Sequence, residues 1–128
     1  MDLGGHILNI CLTNDITIRR ATNSNIRAIH FNRIIEIDLV MFETDYAAAL
    51  HEIGHILGST VDRSFVIEDE AEAWKWAEEN ALIWTETMSE FRKEKLLKYI
   101  NNARNGKKYR GIYPINVPGK DHFVWKYV

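Results

Sequence analysis

The chain has 128 residues, enough for one domain with its own core and no disulfide staples. Its 16 basic and 18 acidic residues leave a formal net charge of -2, which argues against nucleic acid or an anionic membrane surface as partner. The lone Cys11 has no internal partner, the N-terminus lacks the basic region and cleavage site of a secretory signal, and no apolar run approaches the roughly 20 residues of a membrane span, so a soluble, cytoplasmic protein is expected.

Residues 6–40 are rich in isoleucine, with short apolar runs "HILNICL", "DITI", "IRAIHF" and "RIIEIDLVM" separated by Asn, Asp, Thr and Ser. This pattern predicts a small, largely antiparallel sheet. Near-alternation in "RIIEIDL" sends Ile35, Ile37 and Leu39 one way and Glu36 and Asp38 the other. The period changes at "ETDYAAALHEIGHILG". Thr44 can cap, Asp45 suits a first turn, three alanines favour helix and Gly58 can end it, which predicts a helix over 45–57. A second helix opens near "IEDEAEAWKWAEENAL", acidic in its first turn as the helix dipole prefers, and runs to about Ile83. "TMSE" at 87–90 reads as a capping box for a third helix that Gly106 closes. The tail holds both prolines, a basic loop "NGKKYRG" and an aromatic run that packs back or adds an edge strand. Repeats and linkers are absent, so residues 1–128 are expected to form a single α+β domain: an N-terminal sheet packed on the 45–57 helix and two further helices.

Chemistry is concentrated in "YAAALHEIGHILGS". On a helix, His51 and His55 project from one face a turn apart and can share a tetrahedral ion. Glu52 is offset beside the ion's open position, where a carboxylate can take a proton from bound water. Gly54 permits close approach of another element. Three such residues coincide by chance in a chain of this size on the order of a few times per thousand. The bland alternative is a buried helix with histidines at helical spacing, but two histidines and a glutamate are costly to bury unpaired. The expected cofactor is one zinc ion per chain.

A catalytic zinc has three protein ligands, so a third is needed. The pattern His-Glu-x-x-His-x-x-Gly-x-x-His fits "HEIGHILGSTVD" as far as Gly58 and then meets Val61, with Asp62 next door as a substitute ligand. The other route is a glutamate from the following helix. Ala73, Ala77 and Ala81 form a small-residue stripe at helical spacing that lets two backbones come close, and Glu70 extends it toward the histidine helix. Glu72 and Asp69 are rotated away from that line, so Glu70 ranks first and Glu72 second.

"ALHEIGHILG" followed by "EAEAWKWA" resembles gluzincin-type zinc metallopeptidases, especially compact ones: ImmA/IrrE-like peptidases, minigluzincins and small metallopeptidases of phage and prophage. Their second motif, Glu-x-x-Ala-x-x-aromatic, is matched by Glu70, Ala73 and Trp76. The position four after the ligand, Asp or Asn in many relatives, is Trp74, which leaves the residue that orients a histidine unassigned. The likeness covers about residues 44–88 and implies a zinc ion on His51, His55 and Glu70, Glu52 as general base, and a peptide or protein substrate. It also suggests that "RIIEIDL" borders the cleft as a peptide-binding strand, or equally that it is core. His122, Tyr113 and Tyr127 are available to stabilise an oxyanion. His6 and His30 read as structural or exposed, Cys11 as a buried small hydrophobe, and Trp74, Trp76 and Trp84 as packing residues. The competing reading is an inactive, metal-stabilised protein-binding module. Oligomeric state is not legible.

Overall fold

The computed structural model describes residues 2–21, 27–29, 32–62 and 64–128. His30 lies outside them. The fold is α+β, in the order α1 (Leu3–Thr13), β1 (Thr17–Arg20), β2 (Arg27–Ile29), β3 (Ile34–Ile37), α2 (Glu43–Leu57), α3 (Val66–Asn80), α4 (Glu86–Arg104), β4 (Lys108–Tyr109), β5 (Tyr113–Pro114) and a closing 3-10 turn at Phe123–Lys126. None of the described helices is long and apolar enough to cross a membrane.

The run "HILNICL" is helical, contrary to the strand expected there. Asp2 caps α1 by accepting from the Gly5 N–H at 2.8 Å, and Ile7 and Cys11, four apart, are buried on one face while Leu8 and Leu12 are exposed. That i, i+4 burial outweighs the β-branched composition. The sheet itself is mixed, not largely antiparallel: the strand order is β1-β3-β2, with β1 parallel to β3 and β2 antiparallel to it.

β3 is therefore the central strand, and Ile34, Ile35, Glu36 and Ile37 are all buried. Of the two readings of "RIIEIDL", the core one holds: both edges of β3 are occupied by neighbouring strands, so no peptide can add to it. The expected alternation stops early, because the strand ends at Ile37 and Leu39 is exposed.

α2 begins two residues before the expected start. Its first turn is tied by Asp45, whose carboxylate accepts from the N–H groups of Phe42 (2.9 Å) and Met41 (3.1 Å), so Asp45 performs the capping assigned to Thr44. Gly58 is the C-cap, as expected, its N–H reaching the Gly54 carbonyl at 2.7 Å. α2 runs through the centre of the molecule, with Tyr46, Ala47, Ala49, Leu50 and Ile53 essentially inaccessible. α4 is capped by Thr85 and not Thr87: the Thr85 hydroxyl accepts from the Met88 N–H (3.3 Å) and donates to Glu43 (2.7 Å), pinning the start of α4 to the start of α2. After α4, Gly106 adopts φ +71°, the left-handed turn glycine favours.

The tail forms a short β4–β5 hairpin and then packs back, with Val124 buried. Tyr127 places its ring 3.7 Å from the guanidinium of Arg92, itself buried and donating to Glu78 at 2.5 Å.

Candidate metal centre

The site is made where α2 crosses α3. A Cβ added at Gly54 would lie 2.4 Å from the Ala73 carbonyl oxygen and 3.1 Å from the Ala73 Cα, so the two backbones touch only because residue 54 has no side chain. Ala71, Ala73 and Ala77 are fully buried in this contact region. The expected small-residue stripe is thus present at Ala73 and Ala77, while Ala81 is already the C-cap of α3.

This crossing carries Glu70, one turn before Ala73, onto the histidines. Its Oε2 lies 2.6 Å from Nε2 of His51 and 3.2 Å from Nε2 of His55. His51, His55 and Glu70 each offer a ligand atom within 4.8 Å of the others, an arrangement that could hold a metal ion. The two imidazole rings meet edge to face at 4.5 Å, as their i, i+4 spacing requires. Glu52 belongs to the same cluster, with Oε1 3.3 Å from Nδ1 of His51.

Electrostatics follow from this geometry. Burial works against protonating His55, but the carboxylates of Asp69 and Glu70 outweigh it and push the imidazole up to about 10. His51 is raised in the same way: burial opposes its charge, and Glu70 and Glu52 overcome it. Glu70, although buried, is held well below the usual carboxylate range by the two histidines. The cluster thus demands positive charge, and in the metal-free chain protons on the imidazoles supply it. Two imidazole nitrogens and one carboxylate oxygen form a donor set suited to zinc and other borderline transition ions, not to magnesium or calcium.

The alternative third ligands are placed elsewhere. Glu72 accepts from the Thr60 hydroxyl at 2.5 Å and tethers the loop after α2. Asp62 is exposed and accepts from the Ser64 N–H at 2.8 Å. Asp69, set aside from the sequence, does enter the cluster: Oδ2 stands 3.4 Å from Nδ1 of His55, and Oδ1 accepts from the Ser59 hydroxyl. Its only sequence signal is its place beside Glu70 in the first turn of α3.

Trp74 is buried and stacks on the His51 ring, centroids 4.2 Å apart and planes 14° from parallel. Its other ring neighbours are Trp84 and Phe91, in keeping with the packing role expected of it. Tyr99 of α4 was not singled out by the sequence. Burial and the negative charge of Glu70 push its hydroxyl above the usual tyrosine range. The aromatic residues proposed for oxyanion stabilisation have their described contacts elsewhere: His122 accepts from the Val124 N–H, Tyr127 lies on Arg92, and Tyr113 is exposed in β5. Cys11 is buried, and that burial raises its thiol to about 11, as suits a core residue. His6 bonds the Tyr46 hydroxyl at 2.6 Å, a structural contact between α1 and α2.

No family model, curated protein or solved structure matches the chain.

Proposed function

We propose that the chain is a zinc-dependent peptidase of gluzincin type, holding one zinc ion on His51, His55 and Glu70 and using Glu52 as general base. The observation that carries this reading is the convergence of both Nε2 atoms on one carboxylate oxygen from a second helix. His51, His55 and Glu70 would hold the zinc ion, which would supply Lewis acidity toward water and a scissile carbonyl. Glu52 takes the proton and later delivers it to the leaving amine. Tyr99 is kept protonated by burial and by the Glu70 carboxylate near it. Trp74 fixes the plane of the His51 ring and keeps bulk water off one face. The substrate is a peptide or protein segment.

One observation favours a second reading, a catalytically inactive protein-binding module stabilised by the same ion. The side chains of His51, Glu52, His55 and Glu70 are only 9–14% exposed, a degree of closure suited to a structural metal site. Two measurements separate the readings. Purified protein should contain one zinc per chain, lost in Glu70→Ala and His55→Ala with a fall in melting temperature. Cleavage of a peptide library should then be abolished by Glu52→Gln while zinc content is retained. Zinc without any cleavage supports the binding module, and a wild type that takes up no zinc on reconstitution refutes both.

A further inference from the structure

A histidine that binds a metal through Nε2 has its Nδ1–H held by an acceptor, which fixes both the tautomer and the rotation of the ring. The two histidines here are held differently. Trp74 stacks on His51 and sets the plane of that ring, but an indole offers no acceptor to Nδ1, which faces Glu52 instead. His55 lies between carboxylates from consecutive residues of α3: Glu70 at Nε2 (3.2 Å) and Asp69 at Nδ1 (3.4 Å). Successive helical residues project about 100° apart, which lets one carboxylate stand on the metal side of the ring and its neighbour reach the opposite nitrogen. The other oxygen of Asp69 accepts from Ser59, the residue after the C-cap of α2, so the carboxylate is anchored to the helix that carries His55.

We propose that Asp69 is a positioning residue of the metal centre: it accepts from Nδ1–H of His55, so that Nε2 is presented to the ion, and Ser59 fixes the carboxylate that does so. The inference rests on reading the triad as a metal centre and deepens it, because Asp69 gives no atom to the ion. Asp69 also stands in the first turn of α3, where any acidic residue complements the helix dipole. Glu68 occupies the same turn and serves as the control for that effect.

The test is zinc affinity by chelator competition on the full chain, with visible spectra of the cobalt-substituted forms, for wild type, Asp69→Ala, Asp69→Asn, Ser59→Ala and Glu68→Ala. Asp69→Ala should bind zinc about 10- to 100-fold more weakly and show an altered cobalt spectrum. Asp69→Asn, whose amide oxygen still accepts from Nδ1–H, should recover most of the affinity, Ser59→Ala should lose a smaller factor, and Glu68→Ala should match wild type. Wild-type affinity and spectrum in Asp69→Ala, or an equal loss in Glu68→Ala, overturns the positioning role and leaves the metal centre standing. A wild type that binds neither zinc nor cobalt overturns the metal centre itself, and the proposal with it. Should Asp69→Ala not fold, Ser59→Ala decides: unchanged affinity there overturns the proposal.

Discussion

Replacing Gly54 by alanine couples the helix crossing to the metal centre in one perturbation. The added Cβ would sit 2.4 Å from the Ala73 carbonyl oxygen, and real Cβ contacts essentially never fall below 3.0 Å, so α2 and α3 must separate by about 0.6 Å. The obstacle is backbone, which cannot rotate away as a side chain could. In a helix interior the substitution alone gains about 1 kcal/mol of propensity. Overpacking a tight contact costs about 1–3 kcal/mol, and a rigid neighbour places this case at the upper end. A net loss of about 2 kcal/mol is expected from urea unfolding of the zinc-free protein. Glu70 moves with Ala73, one turn away, while metal–ligand distances tolerate only about 0.2 Å, so zinc affinity should fall as well. Gly119→Ala, where nothing lies within 4 Å of the new Cβ, is the neutral control. A Gly54→Ala protein that is as stable as wild type, with wild-type zinc affinity, would show that the helices do not meet as described.

The Cβ of Gly58→Ala would lie 2.4 Å from the Cβ of Trp76, an atom fixed by the α3 backbone, so its loss should match that of Gly54→Ala, about 2 kcal/mol by urea titration; wild-type stability contradicts this. The zinc-free protein should lose stability in two directions. His55, raised from 6.5 to about 10, contributes fully below pH 6.5 and loses that contribution as pH rises through 10, whereas Glu70, depressed below 4.5, contributes above pH 4.5 and loses it on acidification. Stability of the zinc-free chain should therefore be highest between about pH 4.5 and 6.5, while the increment from added zinc grows with pH as the imidazoles give up their protons; zinc-free stability that stays flat from pH 6.5 to 10 contradicts the coupling. Cys11, buried and raised to about 11, should react with a thiol reagent at neutral pH far more slowly in native than in denatured protein, and immediate labelling of native protein would place it at the surface.

The parts of the site that were legible are those written in local spacing. The four-residue spacing of His51 and His55 sets two imidazoles on one helix face wherever that helix lies, and the run of alanines after Glu70 announces a close helix contact that aims this glutamate. Asp69 and Tyr99 could not be found this way. Asp69 matters because of where Nδ1 of His55 ends up, and Tyr99 arrives from α4, some thirty residues downstream of Glu70. The helical start of the chain was hidden by its isoleucines: β-branched composition points to a strand, and only burial of Ile7 and Cys11 against the core selects the helix.

By itself, then, the sequence determined the helical histidine pair, the glutamate that completes it, the gap at Gly54 and the α+β class, because each depends on contacts within a turn or two or on composition. Tertiary structure decided the order and direction of the strands, the burial of β3 between two neighbours, the anchoring of Asp69 by Ser59 and the arrival of Tyr99 beside Glu70. Those features follow from how separate elements pack around one core, which no local pattern encodes.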